Sequence, residues 1–217
     1  MWRGSDFSSV SIRGSALLAD FPWRPVDALW EIAQVSGLIS MREATLVDLD
    51  DIIDLHTQAR MAYYGAGGLP PEAIVNPALV QEQEAGWTAA IESPHKRILC
   101  AVDEGRIAGI AAMGPPLSAK VDASTTGQLY QIHVNPARWG EGIGSTLHAA
   151  FVRYLDEASL PIGMLEVWER NKRAQSFYAR HGWRPDGGFR AGPDDSNYVS
   201  MRLDLVADRA PREYTAT

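Results

Sequence analysis

The stretch PARWGEGIGSTLHAAF, Pro136 to Phe151, decides how the rest of the chain is read. Gly140, Gly142 and Gly144 alternate, and apolar residues then recur at helical spacing: Leu147, Ala150, Phe151, Tyr154 and Leu155. Just before it, QLYQIHV (128–134) alternates as a strand. A strand, a glycine-rich turn and a helix together make an anion site. The first N–H groups of the helix are unpaired, its dipole is positive there, and missing Cβ atoms let a phosphate approach the backbone. Two common versions are excluded. No lysine follows the glycines, as a P-loop requires, and the sixth residue from Gly140 is Ser145 and from Gly142 is Leu147, which breaks the dinucleotide fingerprint. Taken alone, the glycines fit a tight turn without a ligand equally well.

Outward from this stretch, MREAT (41–45) reads as a short strand, and Thr45 with Asp48 as a capping box. The helix after it carries Leu49, Ile52, Ile53, His56 and Ala59 on one stripe, and GAGGLPPE (65–72) reads as a flexible loop. A helix follows from Pro77 to Glu92. RILCAVDEGRIAGIAAMG (97–114) is a hairpin turning at Asp103-Glu104-Gly105. PPLSAKVDASTTG (115–127) is a polar loop. On the strand 128–134, alternation puts Gln128, Tyr130, Ile132 and Val134 on one face and Leu129, Gln131 and His133 on the other. PIGMLEVW (161–168) is a strand. NKRAQSFYARHG (171–182) is a helix with Asn171 as N-cap and Gly182 just past its end. One terminal strand closes the order β-α-α-β-β-β-α-β-α-β, a single α/β core with a mixed sheet and helices packed on it.

VNPARWGEGIGSTLHAAFVRYL and LEVWERNKRAQSFYARHGWRPDG, in that order, resemble two linked segments of the GCN5-related N-acetyltransferases, the GNAT superfamily. The element order from Met41 to Leu205 is similar as well. The resemblance implies three parts: an N-terminal extension (1–40), a GNAT domain (41–205) with a mixed sheet flanked by helices, and a tail (206–217). It implies acetyl-CoA as cosubstrate. The backbone of Arg138, Trp139, Gly140, Glu141, Gly142, Ile143, Gly144 and Ser145 would cradle its diphosphate. Ile132 and Val134 would pair their backbone with the acetyl and pantetheine groups, and Asn171 would bond the cofactor arm. The family pattern Arg/Gln-x-x-Gly-x-Gly/Ala fits at Gly142 and Gly144. It departs at Trp139, which reads as packing over the loop, and Glu141 stands where a basic residue is common. Neutralising charge then falls to Arg138 or to Lys172 and Arg173.

Acetyl transfer to an amine requires a neutral amine, although a free alkylamine has a pKa of about 10. It also requires a donor for the oxyanion and one for the departing thiolate. By resemblance Tyr178, on nearly the same helix face as Asn171, serves the sulfur. Many relatives carry glutamate where Gln128 stands, and glutamine accepts no proton, which leaves His133 and Glu166 as candidate bases. His181 reads as a helix-end residue complementing the dipole. Tyr63, Tyr64 and Trp87 are candidates to line the acceptor side, with core packing an equal explanation.

Composition sets the remaining bounds. The 217 residues carry a formal charge of −7, which argues against a general nucleic-acid binder and is compatible with an amine substrate. The single cysteine, Cys100, lies in an apolar run and excludes an intramolecular disulfide and any cysteine-rich metal site; it reads as a buried thiol. No apolar run is long enough to span a bilayer, and the start is a poor secretory signal, so a cytoplasmic protein without membrane or metal is expected. Residues 1–40 hold Trp2, Trp23 and Trp30 and a helix-like stretch from Val26 to Val35. They are either a segment packed through its tryptophans on the domain or a partner, or a loosely ordered appendage. The expected activity is N-acetylation of a primary amine, on a small molecule, by direct attack in a ternary complex; a homodimer is compatible. The alternative is a non-catalytic acyl-CoA-binding or regulatory domain on the same scaffold.

Overall fold

The computed structural model describes residues 39–205. The helix-like stretch 26–35 and the tail 206–217 lie outside the described residues. The elements are β1 (Ser40–Glu43), α1 (Leu49–Ala66), α2 (Pro71–Ile74), α3 (Pro77–Ile91), β2 (Arg97–Asp103), β3 (Arg106–Gly114), β4 (Thr126–Val134), α4 (Ile143–Glu157), β5 (Ile162–Trp168), α5 (Lys172–Arg180), β6 (Arg184–Ala191) and β7 (Asn197–Asp204). They form one seven-stranded mixed sheet in the order β1-β2-β3-β4-β5-β7-β6. Two elements depart from the expected order: the short α2, and β6. β6 contains Asp186-Gly187-Gly188, which this edge strand absorbs as a register shift between Pro185 and Phe189.

Local signals account for the elements that match. Asp48 takes hydrogen bonds from the Thr45 backbone N–H (2.8 Å) and hydroxyl (3.0 Å), and the Arg42 guanidinium grips the same carboxylate, holding its pKa down to about 2. The β2–β3 hairpin turns through Glu104 and Gly105, both at positive φ (46° and 78°), as a two-residue primed turn needs. Asn76 caps α3 by accepting the Leu79 N–H.

Helices cover both faces of the sheet. On one face α4 buries Ile143, Leu147, Phe151, Tyr154 and Leu155 against β3, β4 and β5, together with Tyr178 and Trp183. Each large apolar side chain so buried contributes about 1.5–3 kcal/mol. On the other face α1 and α3 bury Ile52, Leu55, Trp87 and Ala90 over β2 and β3. Cys100 is fully buried there and its thiol is pushed up to about 12, which rules it out as a ready nucleophile.

Two irregularities in β4 shape the region beside the glycine turn. Ala112 pairs with Gln131 but Met113 pairs with Leu129, so Tyr130 is an extra, bulged residue. The bulge corrects the simple alternation: Leu129 joins Ile132 and Val134 on the α4 face, and Tyr130 packs on the α1 face. Second, β4 and β5 are the parallel neighbours, and they pair only over Thr126–Ile162, Gly127–Gly163 and Gln128–Met164. Beyond that point both strands continue apart. Facing glycines mark the vertex because α4 lies on them: a Cβ at Gly127 would sit 2.5 Å from Leu155, and one at Gly163 3.1 Å from Leu155 and Phe151.

Candidate active site

The glycine turn follows β4 directly. The Asn135 side chain accepts the Ala137 N–H (3.0 Å), and the chain then passes through Gly140 and Gly142 at φ of 98° and 86°. Those angles favour glycine over any side chain. Nothing lies within 4 Å of the place where a Cβ would stand at either position. Gly142 caps α4, and the first N–H to turn back on the helix is that of Thr146, to Gly142 O (3.0 Å). The N–H groups of Ile143, Gly144 and Ser145 therefore have no acceptor within the helix. This cradle of bare amides at a positive helix end fits a diphosphate.

The side chains around the turn divide differently from their order in the sequence. Arg138 pairs with Asp103 (2.8 Å) and Glu141 (2.6 Å), so its charge and that of Glu141 are largely offset within the protein. Trp139 donates its indole N–H to Val134 O (3.0 Å) and packs on the turn, and the Arg173 guanidinium lies over its ring at 4.2 Å. Arg173 has no carboxylate partner among the described residues.

The gap between the splayed strands opens beside this turn. The Asn135 N–H bonds to Ala108 O on β3 (2.9 Å), so the alternate backbone groups of Val134 and Ile132 face the other edge, from which β5 has departed. The bond from Trp139 to Val134 O agrees with that direction. Across the gap Asn171 caps α5, its Oδ1 accepting the Ala174 N–H (3.0 Å), which leaves its amide NH2 as a donor. Tyr178 is buried against Phe177 and Trp183, and burial pushes its pKa well above the usual phenol value. Its hydroxyl has no hydrogen-bond partner among the described residues.

The α1 face of the gap holds the remaining candidates. Gln128 is buried and its Oε1 accepts the Leu117 N–H (2.8 Å), fastening the β3–β4 loop. His133 is buried, its Nε2 lies 2.7 Å from Gln131 Oε1, and its ring stacks on His56 (4.5 Å). His56 Nδ1 in turn accepts the Trp87 indole N–H (3.0 Å), which places Trp87 in the core rather than at the acceptor side. Burial, with a further contribution from Arg60, pushes the His133 pKa down to about 3. That environment suits a packed neutral imidazole and not a proton acceptor for an ammonium group. Glu166 on β5 forms an ion pair with Arg190. The rings of His133, Tyr63, Tyr64 and Trp168 follow one another from β4 to β5, at 6.3, 4.3 and 4.8 Å between centroids. The segment read as a flexible loop is packed over this row. Leu69 and Ile74 are buried against Trp168, and Gly67 lies so flat on its indole that a Cβ would stand 2.2 Å from the ring. The parallel gap and the roof are not legible in the sequence, because both arise from contacts between distant segments.

A bare-amide turn at a helix start, beside a parallel strand pair with an open edge, defines an acyl-CoA-dependent acyltransferase scaffold. The chain matches the acetyltransferase (GNAT) family over residues 60–183, and it belongs to that family. It is therefore an acyltransferase enzyme with acetyl-CoA as cosubstrate, which sets aside the non-catalytic alternative. Among curated relatives it is 33% identical over 88 residues to the mycothiol acetyltransferase of Acidimicrobium ferrooxidans, a match covering 41% of this chain and 28% of that one. It is 29% identical over 139 residues to an uncharacterised N-acetyltransferase of Mycobacterium bovis, covering 63% and 85%. Among solved structures, the PaiA N-acetyltransferase of Thermoplasma acidophilum in complex with coenzyme A superposes with a TM-score of 0.62 at 18% identity, covering 76% of this chain and 98% of that one. The ribosomal-protein-S18-alanine N-acetyltransferase of Escherichia coli gives 0.57 at 16%, covering 76% and 92%. At these identities the structures establish the fold alone. No described helix is long and apolar enough to cross a membrane.

Proposed function

We propose that this chain transfers the acetyl group of acetyl-CoA to a primary amine on a small molecule, by direct attack in a ternary complex. The observation that carries the reading is the continuity of the β4 edge that β5 leaves, at Ile132 and the Val134 N–H, with the unpaired helix-start amides of Ile143, Gly144 and Ser145. In this reading the amides hold the diphosphate, and Arg173, braced on Trp139, supplies the charge that Arg138 and Glu141 offset between themselves. The β4 edge pairs with the pantetheine amides as an added strand would, and the Asn171 amide donates to the same arm.

The acceptor enters from the α1 face. Its nitrogen lone pair attacks the thioester carbon, and the carbon–sulfur bond breaks as the tetrahedral adduct collapses. Tyr178 faces the leaving sulfur. Because burial makes its phenol harder to ionise, it acts as a hydrogen-bond donor to the developing thiolate and need not give up its proton fully. The proton lost by the amine leaves through water, since Gln128 is fastened to Leu117 and His133 is held neutral. The roof formed by Tyr63, Gly67 and Leu69 favours a compact acceptor over an extended peptide. The test is thiol release from acetyl-CoA with a panel of small primary amines and of peptides bearing a free N-terminus. Turnover with a small amine, lost in Tyr178→Phe, is expected. Turnover confined to peptides would overturn the acceptor assignment, and full activity in Tyr178→Phe would overturn the role of Tyr178.

A further inference from the structure

We infer that Ser145 and His181 form a proton-coupled clamp on the diphosphate, so that the cofactor binds more tightly as His181 becomes protonated. The inference rests on the reading that the amides of the 139–145 turn hold that diphosphate. His181 stands at the C-terminal end of α5, and Ser145 is the third residue of α4. His181 Nδ1 lies 2.9 Å from Phe177 O, and its Nε2 lies 3.2 Å from Ser145 Oγ. A carbonyl only accepts, so Nδ1 carries the hydrogen. In the neutral ring Nε2 is then bare, and the Ser145 hydroxyl must donate to it. The single proton of Ser145 is thereby turned away from the anion site in which its backbone N–H lies.

Protonation of His181 reverses this bond. Nε2–H then donates to Ser145 Oγ, which frees the serine proton to reach a phosphate oxygen. It also places a positive charge one hydrogen bond from the α4 N-terminus. The surroundings permit the change. On α4, His148 faces the His181 ring at 4.5 Å, and its Nε2 accepts the Trp183 indole N–H (2.8 Å). Burial pushes His148 down to about 4, so it stays neutral over the pH range of the test below. His181 touches Phe177 of α5 (4.4 Å) and caps the C-terminal end of that helix, where the dipole favours a cation. No carboxylate lies within ion-pair distance of His181 among the described residues. A bound anion at α4 therefore favours the charged ring, and by linkage the charged ring favours the anion.

The experiment is calorimetry with dephospho-CoA, which keeps the diphosphate but lacks the 3′-phosphate that would itself titrate at about pH 6. The full chain, the Ser145→Ala variant and the His181→Gln variant are compared at about pH 6 and about pH 8.5, which bracket an ordinary histidine. The wild-type chain should bind about three- to tenfold more tightly at the lower pH; His181→Gln should lose that difference, and Ser145→Ala should keep only the smaller part that comes from the ring's charge. Ser145 is exposed, so its truncation keeps the test open should His181→Gln fold poorly. In parallel, the His181 ring followed by NMR should titrate at higher pH when dephospho-CoA is bound. Equal wild-type affinity at both pH values, a pH difference undiminished in Ser145→Ala, or one that survives in His181→Gln would overturn the clamp. Failure of dephospho-CoA to bind at either pH would instead overturn the diphosphate reading on which it rests.

Discussion

Trp139 falls where the resemblance implies Arg or Gln, and its surroundings show what an indole does there. The indole fastens the turn to β4 through Val134 O and offers a flat surface to Arg173, so a cation from α5 stands beside the turn. Asn171 is legible as a cap because capping depends on neighbours three residues away. The condition of His133 is not legible, because its pKa is set by burial under α1 and a stack on His56. Tyr178→Phe should lower kcat about 10²-fold while the KM for acetyl-CoA stays within about twofold, read by steady-state thiol release. The buried histidines should also make stability depend on pH. His133 and His148 have folded pKa values of about 3 and about 4, below the ordinary 6.5. The unfolded chain therefore binds more protons between those values, and stability is fully present above pH 6.5 and falls as the pH drops toward 4. Each such histidine adds a slope of about 1.4 kcal/mol per pH unit. The melting temperature of His133→Gln should fall less steeply with acid than that of wild type, and an equal slope would show that His133 is not held neutral by the fold.

At the scale of elements, periodicity reveals which segments are helices and strands but not where a strand departs from regularity. Alternation fails at Tyr130 because a bulge adds one residue without leaving a local mark. β6 goes unseen for the opposite reason: it contains Asp186-Gly187-Gly188, residues that are poor strand formers but that an exposed edge strand tolerates, with Gly187 at a φ of 89°. The glycines give the sharpest tests. Gly67→Ala should destabilise the protein by about 1–3 kcal/mol, because its new methyl meets the Trp168 ring at 2.2 Å. The same variant should raise the KM for the amine more than that for acetyl-CoA, since in the proposed arrangement the displaced segment roofs the acceptor side. Gly144→Ala meets only ordinary contact with Phe177 at 3.4 Å. Its melting temperature should be close to wild type, so any loss of coenzyme A affinity would report on the ligand and not on the fold.

For the whole molecule, the element order and the two linked motifs are enough to place an α/β domain with a mixed sheet. The functional gap is hidden, because it depends on β4 and β5 being neighbours and on the Gly127–Gly163 vertex that lets α4 hold them together at one end only. We propose that residues 41–205 are the catalytic domain and that the extension, residues 1–40, acts in assembly. Deleting it should leave the Kd for coenzyme A within about twofold and change the oligomeric mass measured by light scattering. A large loss of cofactor affinity would place that segment in the site instead. The central claim is that main-chain amides from Gly140 to Ser145 grip the diphosphate of coenzyme A. Its most direct test is calorimetry of acetyl-CoA on wild type and on Gly142→Val, a substitution that forces a branched side chain to a φ of 86° at the mouth of the turn. Saturable wild-type binding, weakened more than about tenfold in a variant that remains folded, is the predicted result. Equal affinity in the two proteins would contradict the account.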